Sequence, residues 1–451
     1  MARDVIALAL RRAKSAGADQ ADAMLVEADS LESRVRGDEI DFVVQSQERT
    51  LGIRALIRGS DGRRSAVTST SDLSEAAVER MADETVAIAR ATAEDPFAGL
   101  PDGGFASSDA LPDLDLFDPG DRNVAVEARI EDARRAEQAA RSVDERIQNS
   151  EGSQAASHFS RVAYGNSEGF LGEYESASHS LFSEPLAHEN GSMQRDYWMT
   201  VGRRLSALED PAAVGRRAAE RALRRLGARR VPTCEVPVIF DAVTAPSLLR
   251  QVAGCLSGYA IYRSMSFLGD RMGERIGSEL VTLVDDGRLP GGLGSKPFDG
   301  EGLPTRRNVL IERGELCTWL LDSYSARKLG GTSTGNASRG PGGAPGVGAT
   351  NLWLEPGEGT LEEIVADTPR GLLVTELIGM GFNPVTGDYS RGAAGLWIED
   401  GKIAHPVEEV TVAGNLADML TSIDAVGEEL HWLGRVASPP LRVARMTVAG
   451  E

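Results

Sequence analysis

Short strand-like runs closed by glycine-bearing turns recur along this chain and restrict it to folds built from antiparallel hairpins. Leu51, Ile53, Ala55 and Ile57 share one face of a period-two run, and Gly59-Ser60-Asp61-Gly62 turns it into Ser65-Ala66-Val67-Thr68. Gly165-Asn166-Ser167-Glu168-Gly169 separates strand-like residues 155–164 and 170–182 in the same way. Glu312-Arg313-Gly314-Glu315 lies between 308–311 and 316–321, and Asp400-Gly401 between 396–399 and 402–404. Helical spacing is interspersed with these runs. It places a helix at the start through Val5, Leu8 and Arg12, and a second through Val78, Met81, Thr85 and Ile88 behind an Asp72–Glu75 capping box. A third carries Val126, Ile130, Ala133 and Ala140, and a fourth runs from an Asp210-Pro211 cap to Leu226. Further on, 236–240 reads as a buried strand and 245–262 as a helix, with short helices at 325–329, 361–366 and 416–423. Hairpins mixed with helices in this order predict an α+β chain rather than a doubly wound one.

The 451 residues suit two or three domains of about 150 residues each. Residues 96–121 hold Pro, Gly and Asp without periodicity and read as a linker, and Arg229-Arg230-Val231-Pro232-Thr233 marks the best boundary. The expectation is an N-terminal α+β domain over 1–230, made of helix-plus-hairpin blocks 1–95 and 122–230. A strand-rich antiparallel C-terminal domain over 231–451 follows. The shared helix-then-hairpin order suggests a diverged duplication without a residue-level repeat.

Charge and composition remove several function classes. The 48 basic and 68 acidic residues give a net charge of −20, which repels phosphate backbones and argues against direct nucleic-acid binding. No run of eighteen apolar residues occurs, so a membrane-spanning helix is not expected. The first residues soon meet Arg11, Arg12 and Lys14 and lack the apolar stretch of a secretory signal. Cys234, Cys255 and Cys317 cannot form a disulfide framework, which favours a reducing cytoplasm.

Chemistry-bearing motifs are sparse. Among five histidines (His158, His179, His188, His405, His431), no two have the spacing of a zinc helix, and His188-Glu189 is followed by Gly191 rather than a second His. Cys234 and Cys317 stand in apolar strand contexts and read as packing groups. The glycine-rich residues 329–350 could cradle an anion, although the phosphate-loop pattern and any lysine are absent. A flexible or closely packed loop is the simpler reading. Asp285-Asp286-Gly287 could offer oxygen ligands to Mg²⁺, but a turn ending strand 280–284 explains it more economically.

Three longer segments are specific. Ser247-Leu248-Leu249-Arg250-Gln251-Val252-Ala253-Gly254-Cys255-Leu256-Ser257-Gly258 continues through Tyr262-Arg263-Ser264 to Phe267-Leu268. Gly294-Ser295-Lys296-Pro297-Phe298-Asp299-Gly300-Glu301-Gly302 comes next, followed by Thr305-Arg306-Arg307. Then come Trp319-Leu320-Leu321-Asp322-Ser323-Tyr324-Ser325-Ala326-Arg327-Lys328-Leu329-Gly330 and Ser333-Thr334-Gly335-Asn336-Ala337. In this order and spacing the chain closely resembles the PmbA/TldE branch of the TldD/PmbA family. The resemblance implies a subunit of a cytosolic zinc peptidase that processes unfolded or small peptides. In that family a TldD-type chain carries the zinc on a His-Glu-x-x-x-His helix plus a later cysteine, and the TldE-type chain pairs with it without metal.

Carried onto this sequence, the zinc motif is degenerate. Arg250 stands at the first His, Gln251 at the Glu and Cys255 at the second His, while Gly414-Asn415 and Gly427 place Val426 near the ligand cysteine. Arginine stays protonated and cannot ligate zinc, and glutamine cannot take a proton from a metal-bound water. The chain itself is therefore expected to hold no metal or cofactor and to be catalytically silent. Its expected roles are to complete the peptide chamber and support a TldD-like partner, with homodimers when that partner is absent. Two alternatives stay open at this point: a metal-independent thiol hydrolase using Cys255, and a non-enzymatic peptide- or anion-binding module.

Overall fold

In the computed structural model, which describes residues 2–450, the first half of the chain builds one antiparallel sheet covered by two helix pairs. The order is α1 (Ala2–Ser15), β1 (Gln20–Arg36), β2 (Glu39–Arg58), β3 (Arg63–Thr70), α2 (Glu75–Ala91), α3 (Val126–Arg141), β4 (Ile147–Asn166), β5 (Leu171–Glu189), β6 (Ser192–Arg195), β7 (Trp198–Gly202) and α4 (Pro211–Leu223). The sheet runs β3-β2-β1-β4-β5-β6, with β7 also on β5. β1 and β4 meet antiparallel at its centre, from Asp22 opposite Asn166 to Val35 opposite Ser153. Helix, hairpin and helix thus occur twice. Ile6 and Ala13 of α1 pack with Val78 and Val86 of α2 over Leu25, Leu51 and Ile53. Ala133 and Ala136 of α3 pack with Val214 and Ala218 of α4 over Val35, Ala155 and Leu181.

Two expectations need correction here. The helix predicted behind an Asp72–Glu75 box begins after Ser74, because the Asp72 carboxylate is taken by the Ser74 amide at 2.9 Å. The Asp210 cap does form, accepting from the Ala213 amide at 3.2 Å, but its helix stops at Leu223.

The second half continues with β8 (Cys234–Phe240), α5 (Ala245–Cys255), α6 (Gly258–Tyr262), β9 (Leu283–Asp286), β10 (Arg307–Glu312), β11 (Glu315–Leu316), α7 (Ser323–Leu329), β12 (Ala337–Ser338) and β13 (Gly346–Val347). It ends with β14 (Leu352–Leu354), α8 (Leu361–Ala366), β15 (Arg370–Ile378), β16 (Asp388–Glu399), β17 (Lys402–Asn415), α9 (Leu416–Thr421), β18 (Ile423–Val426), β19 (Val436–Ala437) and β20 (Leu441–Ala449). One sheet is β11-β10-β9-β14-β19, a two-stranded ribbon is β12-β13, and the largest of this half is β17-β16-β15-β8-β20-β18, in which β17 also pairs with β20 and closes a ring. The fold is α+β as predicted, but two pairings are parallel, β15 with β8 and β14 with β19. The predicted helix over 245–262 is two helices. The break comes at Leu256-Ser257, where the Gly258 amide turns to the Leu320 carbonyl at 2.8 Å and Ser257 bridges to Leu320. The same contact shortens the second arm of the 308–321 hairpin, whose ladder stops at Leu316.

The glycine-rich residues 329–350 are packed rather than free, and they tie the two halves together. Arg339 is fully buried and donates to Asp22 of β1 at 2.7 Å, while Arg54 of β2 donates to the same carboxylate at 2.9 Å. Pro341 lies so close to β2 that a Cβ at Gly52 would sit 1.6 Å from its carbonyl oxygen. Burial alone would raise the Asp22 pKa, but Arg339 and Arg54 outweigh it and hold the carboxyl below its usual range. Asp285 of β9 anchors the far end of the tract, accepting from Asn336 Nδ2 at 2.7 Å, the Thr350 amide at 2.6 Å and Thr350 Oγ1 at 3.0 Å. Burial prevails over those hydrogen bonds and pushes the Asp285 carboxyl up to about 6.

Removing the Asp22 charge leaves two buried guanidinium groups unmatched. Asp22→Ala should therefore cost about 3–5 kcal/mol in urea unfolding, and a loss below about 1 kcal/mol would contradict the clasp. Asp285 gives a pH signature. Its folded pKa of about 6 exceeds the ordinary 3.8, so the folded chain keeps a proton that the unfolded chain releases. Stability should fall by about 2–3 kcal/mol as pH rises through that window, and Asp285→Asn should flatten the fall.

Candidate functional site

Helix α5 carries the three positions singled out from the sequence, and its amphipathic spacing decides which of them faces outward. Leu248, Leu249, Val252, Ala253 and Cys255 are buried, whereas Ser247, Arg250 and Gly254 recur at helical spacing on the opposite stripe. The entry to the helix is fixed by Asp241, which accepts from the amides of Val243 at 3.1 Å and Thr244 at 2.9 Å. Arg221 of α4 reaches both Asp241, at 3.4 Å, and Asp196, at 3.2 Å, and so anchors the N-terminal half beside this entry.

The donor set at the degenerate motif does not fit zinc. Arg250 is an exposed cation, Gln251 is half-buried and neutral, and Val426 at the end of β18 has no donor atom. Cys255 is fully buried in the same apolar core as Val426, and desolvation pushes its thiol up to about 11 despite a hydrogen bond with Ser266. An enclosed thiol whose proton affinity is raised by burial is a poor nucleophile, which weighs against a thiol hydrolase. Among the described residues, no group of three or more His, Cys, Asp or Glu side chains is placed to share an ion. The other candidates are dispersed. His405 rests 3.0 Å from the Pro406 carbonyl and His431 lies 3.1 Å from Glu429, while His188 lies far along β5. Asp285 is held as described above, and Asp286 accepts from the Arg288 amide at 2.7 Å. Cys234 packs half-buried against the core, but Cys317 is exposed, because the ladder that would have covered it has already ended.

The outward stripe of α5 borders two cavities. One, of about 220 Å³, lies between the halves of the chain and is lined by Asp196, Tyr197, Ser247, Thr375, Glu376 and Arg391 among others. The second, of about 270 Å³, is lined by Arg250, Gly254, Ser257, Leu352, Arg435 and Val436 among others. Desolvation lowers the proton affinity of Arg250; Tyr197 acts in the opposite direction, and Arg435 and Arg391 add like-charge repulsion. Arg250 thus senses residues of both cavities. Sequence reasoning treated Arg250 as a lost ligand and as a cation near Cys255, and missed Arg391 and Arg435, which reach the site from distant segments without any motif to mark them.

Comparison with known proteins matches three successive domain profiles of the PmbA/TldA metallopeptidases: domain 1 over residues 21–89, the central domain over 119–226 and the C-terminal domain over 233–450. Metalloprotease PmbA of Escherichia coli O157:H7 is 40% identical over 446 residues, covering 99% of this chain and 95% of that protein. The Metalloprotease PmbA homolog of Haemophilus influenzae is 36% identical over 450 residues, covering 100% and 96%. Among solved structures, TldE from Thermococcus kodakarensis superposes with a TM-score of 0.88 at 23% identity, covering 99% of this chain and 100% of that one, a likeness of fold. A candidate modulator of DNA gyrase from Bacteroides thetaiotaomicron gives 0.91 at 28% identity, covering 99% and 98%. Matched along nearly its whole length, the chain belongs to the PmbA/TldA metallopeptidase family.

Proposed function

We propose that this chain is the metal-free, TldE-like subunit of a heterodimeric cytoplasmic zinc peptidase. In this reading it completes a chamber for unfolded or small peptides and supports a TldD-type partner that carries the zinc. What carries the proposal is the set Arg250, Gln251 and Cys255 on α5, with Val426 on β18, which the family resemblance aligns with the partner chain's metal ligands. A cation, a neutral amide and a buried thiol cannot bind Zn²⁺ or activate its water. The likeness of fold to a TldE structure and the identity to PmbA support the branch. The net charge of −20 argues that any effect on DNA metabolism is indirect and runs through a processed peptide.

The test is elemental analysis of the chain purified alone, followed by peptide hydrolysis with and without a TldD-type chain. Below about a tenth of an equivalent of zinc is expected in the lone chain, with hydrolysis only in the mixture and its loss on chelation. Close to one tightly held equivalent in the lone chain would refute the assignment. Cys255 gives an independent check. A thiol with a pKa of about 11 is ionised at pH 7.5 in roughly one part in three thousand. Iodoacetamide should therefore modify exposed Cys317 first and leave Cys255 untouched until unfolding, and Cys255→Ala should keep hydrolysis by the complex within about twofold.

A further inference from the structure

Counting charges along α5 isolates a surplus of positive groups. In the first cavity the acidic walls are already matched: Glu184 pairs with Arg195, Glu376 with Arg225 at 2.6 Å, and Asp196 with Arg221 at 3.2 Å. Arg391 donates from Nη2 to the Leu377 carbonyl at 3.3 Å and interacts with the Tyr389 hydroxyl, and its buried Nε has no partner among the described residues. The second cavity has no acidic residue in its lining, while Arg250 and Arg435 both line it. In a chain of net charge −20, Arg250 is repelled by both Arg391 and Arg435, an arrangement that a bound anion would relieve.

The uncharged lining defines what accompanies that anion. Leu320, Val347, Leu352 and Val436 give the second cavity apolar walls beside its two arginines. In the first, the hydroxyls of Ser247 and Thr375 are buried without hydrogen-bond partners, and Thr375 is only 2% exposed. The space over Gly254 is open, since a Cβ built there would meet nothing within 4 Å. From Ser247 to Gly254 the helix rises roughly 10 Å, about the length of three extended peptide residues.

We propose that this groove binds the carboxyl-terminal end of a short peptide. The terminal carboxylate lies on Arg250 and Arg435, the last side chain enters the apolar cavity beside Gly254, and the preceding main chain runs back along the helix towards Ser247 and Thr375. The inference rests on the peptide-handling role proposed above and adds to it a site and a polarity. The position that would hold metal in a catalytic chain becomes a receptor for the end of the peptide. Two guanidinium groups can meet a carboxylate with paired, charge-assisted hydrogen bonds, and the apolar walls favour Leu or a similar residue at the last position.

The test is the affinity of the full chain for a fluorescently labelled tetrapeptide ending in Leu, as the free acid and as the amide. At low salt the acid should bind at least about tenfold more tightly, and the Arg250→Gln/Arg435→Gln double variant should bind both forms with the affinity of the amide. Among the described residues neither arginine has an ion-pair partner, and removing both relieves their repulsion, so the melting temperature should not fall. Gly254→Leu, whose Cβ meets nothing within 4 Å, should weaken both forms. An amidated peptide carrying Glu separates recognition of the chain end from recognition of any carboxylate, and it should bind no better than the Leu amide. Equal binding of acid and amide, or discrimination that persists in the double variant, would overturn the pocket while leaving the peptide-handling role standing. If neither peptide binds while inorganic phosphate still raises the melting temperature through Arg250 and Arg435, the groove is a small-anion site, and the peptide-handling role loses its support as well.

Discussion

One buried carboxylate, Asp22, holds the two halves of this molecule in register. It lies on the central strand pair of the N-terminal sheet and receives Arg54 from the neighbouring strand and Arg339 from a segment more than three hundred residues later. Buried charges are tolerated only when matched and hydrogen-bonded, so the arrangement permits one seating of the glycine-rich tract and disfavours others. That seating brings Pro341 onto Gly52, and Asp285 holds the far end of the same tract at Thr350. The adjoining β13 and Ala349 form one wall of the cavity beside Arg250. A polar clasp remote from α5 thus shapes the groove on α5.

On the reading proposed above, one helix position of this fold carries two opposite kinds of chemistry in the two subunits. Zinc needs neutral imidazole, thiolate or carboxylate donors around a point, with room for a water. Here the point is filled with positive charge, and the thiol that remains is enclosed by Val252, Leu256 and their neighbours in the core. The substitution is therefore a reversal of electrostatic sign as well as a loss of ligands. The scaffold tolerates it because the inward face of α5 keeps its apolar spacing whatever the outward face carries.

What could be read from the sequence followed the strength of its local signals. Turns with Gly at positive φ, such as Gly62, Gly169 and Gly401, located three hairpins, and Asp210 with Pro211 located the start of α4. β1 was missed because Ala21 to Leu25 is buried as a continuous run, 26–30 is half-covered, and the alternation that returns at Leu31, Ser33 and Val35 includes a polar residue on the buried face. The helix break after Cys255 was missed because its cause is tertiary: Gly258 lies against Leu321 and Ser325, where any side chain would clash. The glycine-rich tract is silent in sequence because Gly335, which closely approaches Pro304, is not distinguished by any motif from Gly330 and Gly340, which have open space around them. Arg250 was found through a resemblance, whereas Arg391 and Arg435 become meaningful only once β16 and the approach to β19 are folded beside it.

The ring closed by β17 and β20 bears on how the chain acquires its structure during synthesis. β8, begun at Cys234, takes β20 as one neighbour, and β20 runs to Ala449. The other neighbour of β8 is β15, more than a hundred residues downstream. The helix that follows β8 therefore emerges from the ribosome long before the strands that brace it, while the N-terminal sheet already has all its partners by residue 202. Such long-range pairing delays completion of the second half and exposes its apolar strands in the interval. The nascent chain is then a folded N-terminal platform carrying an unfinished C-terminal half, and the last strand to emerge closes the structure.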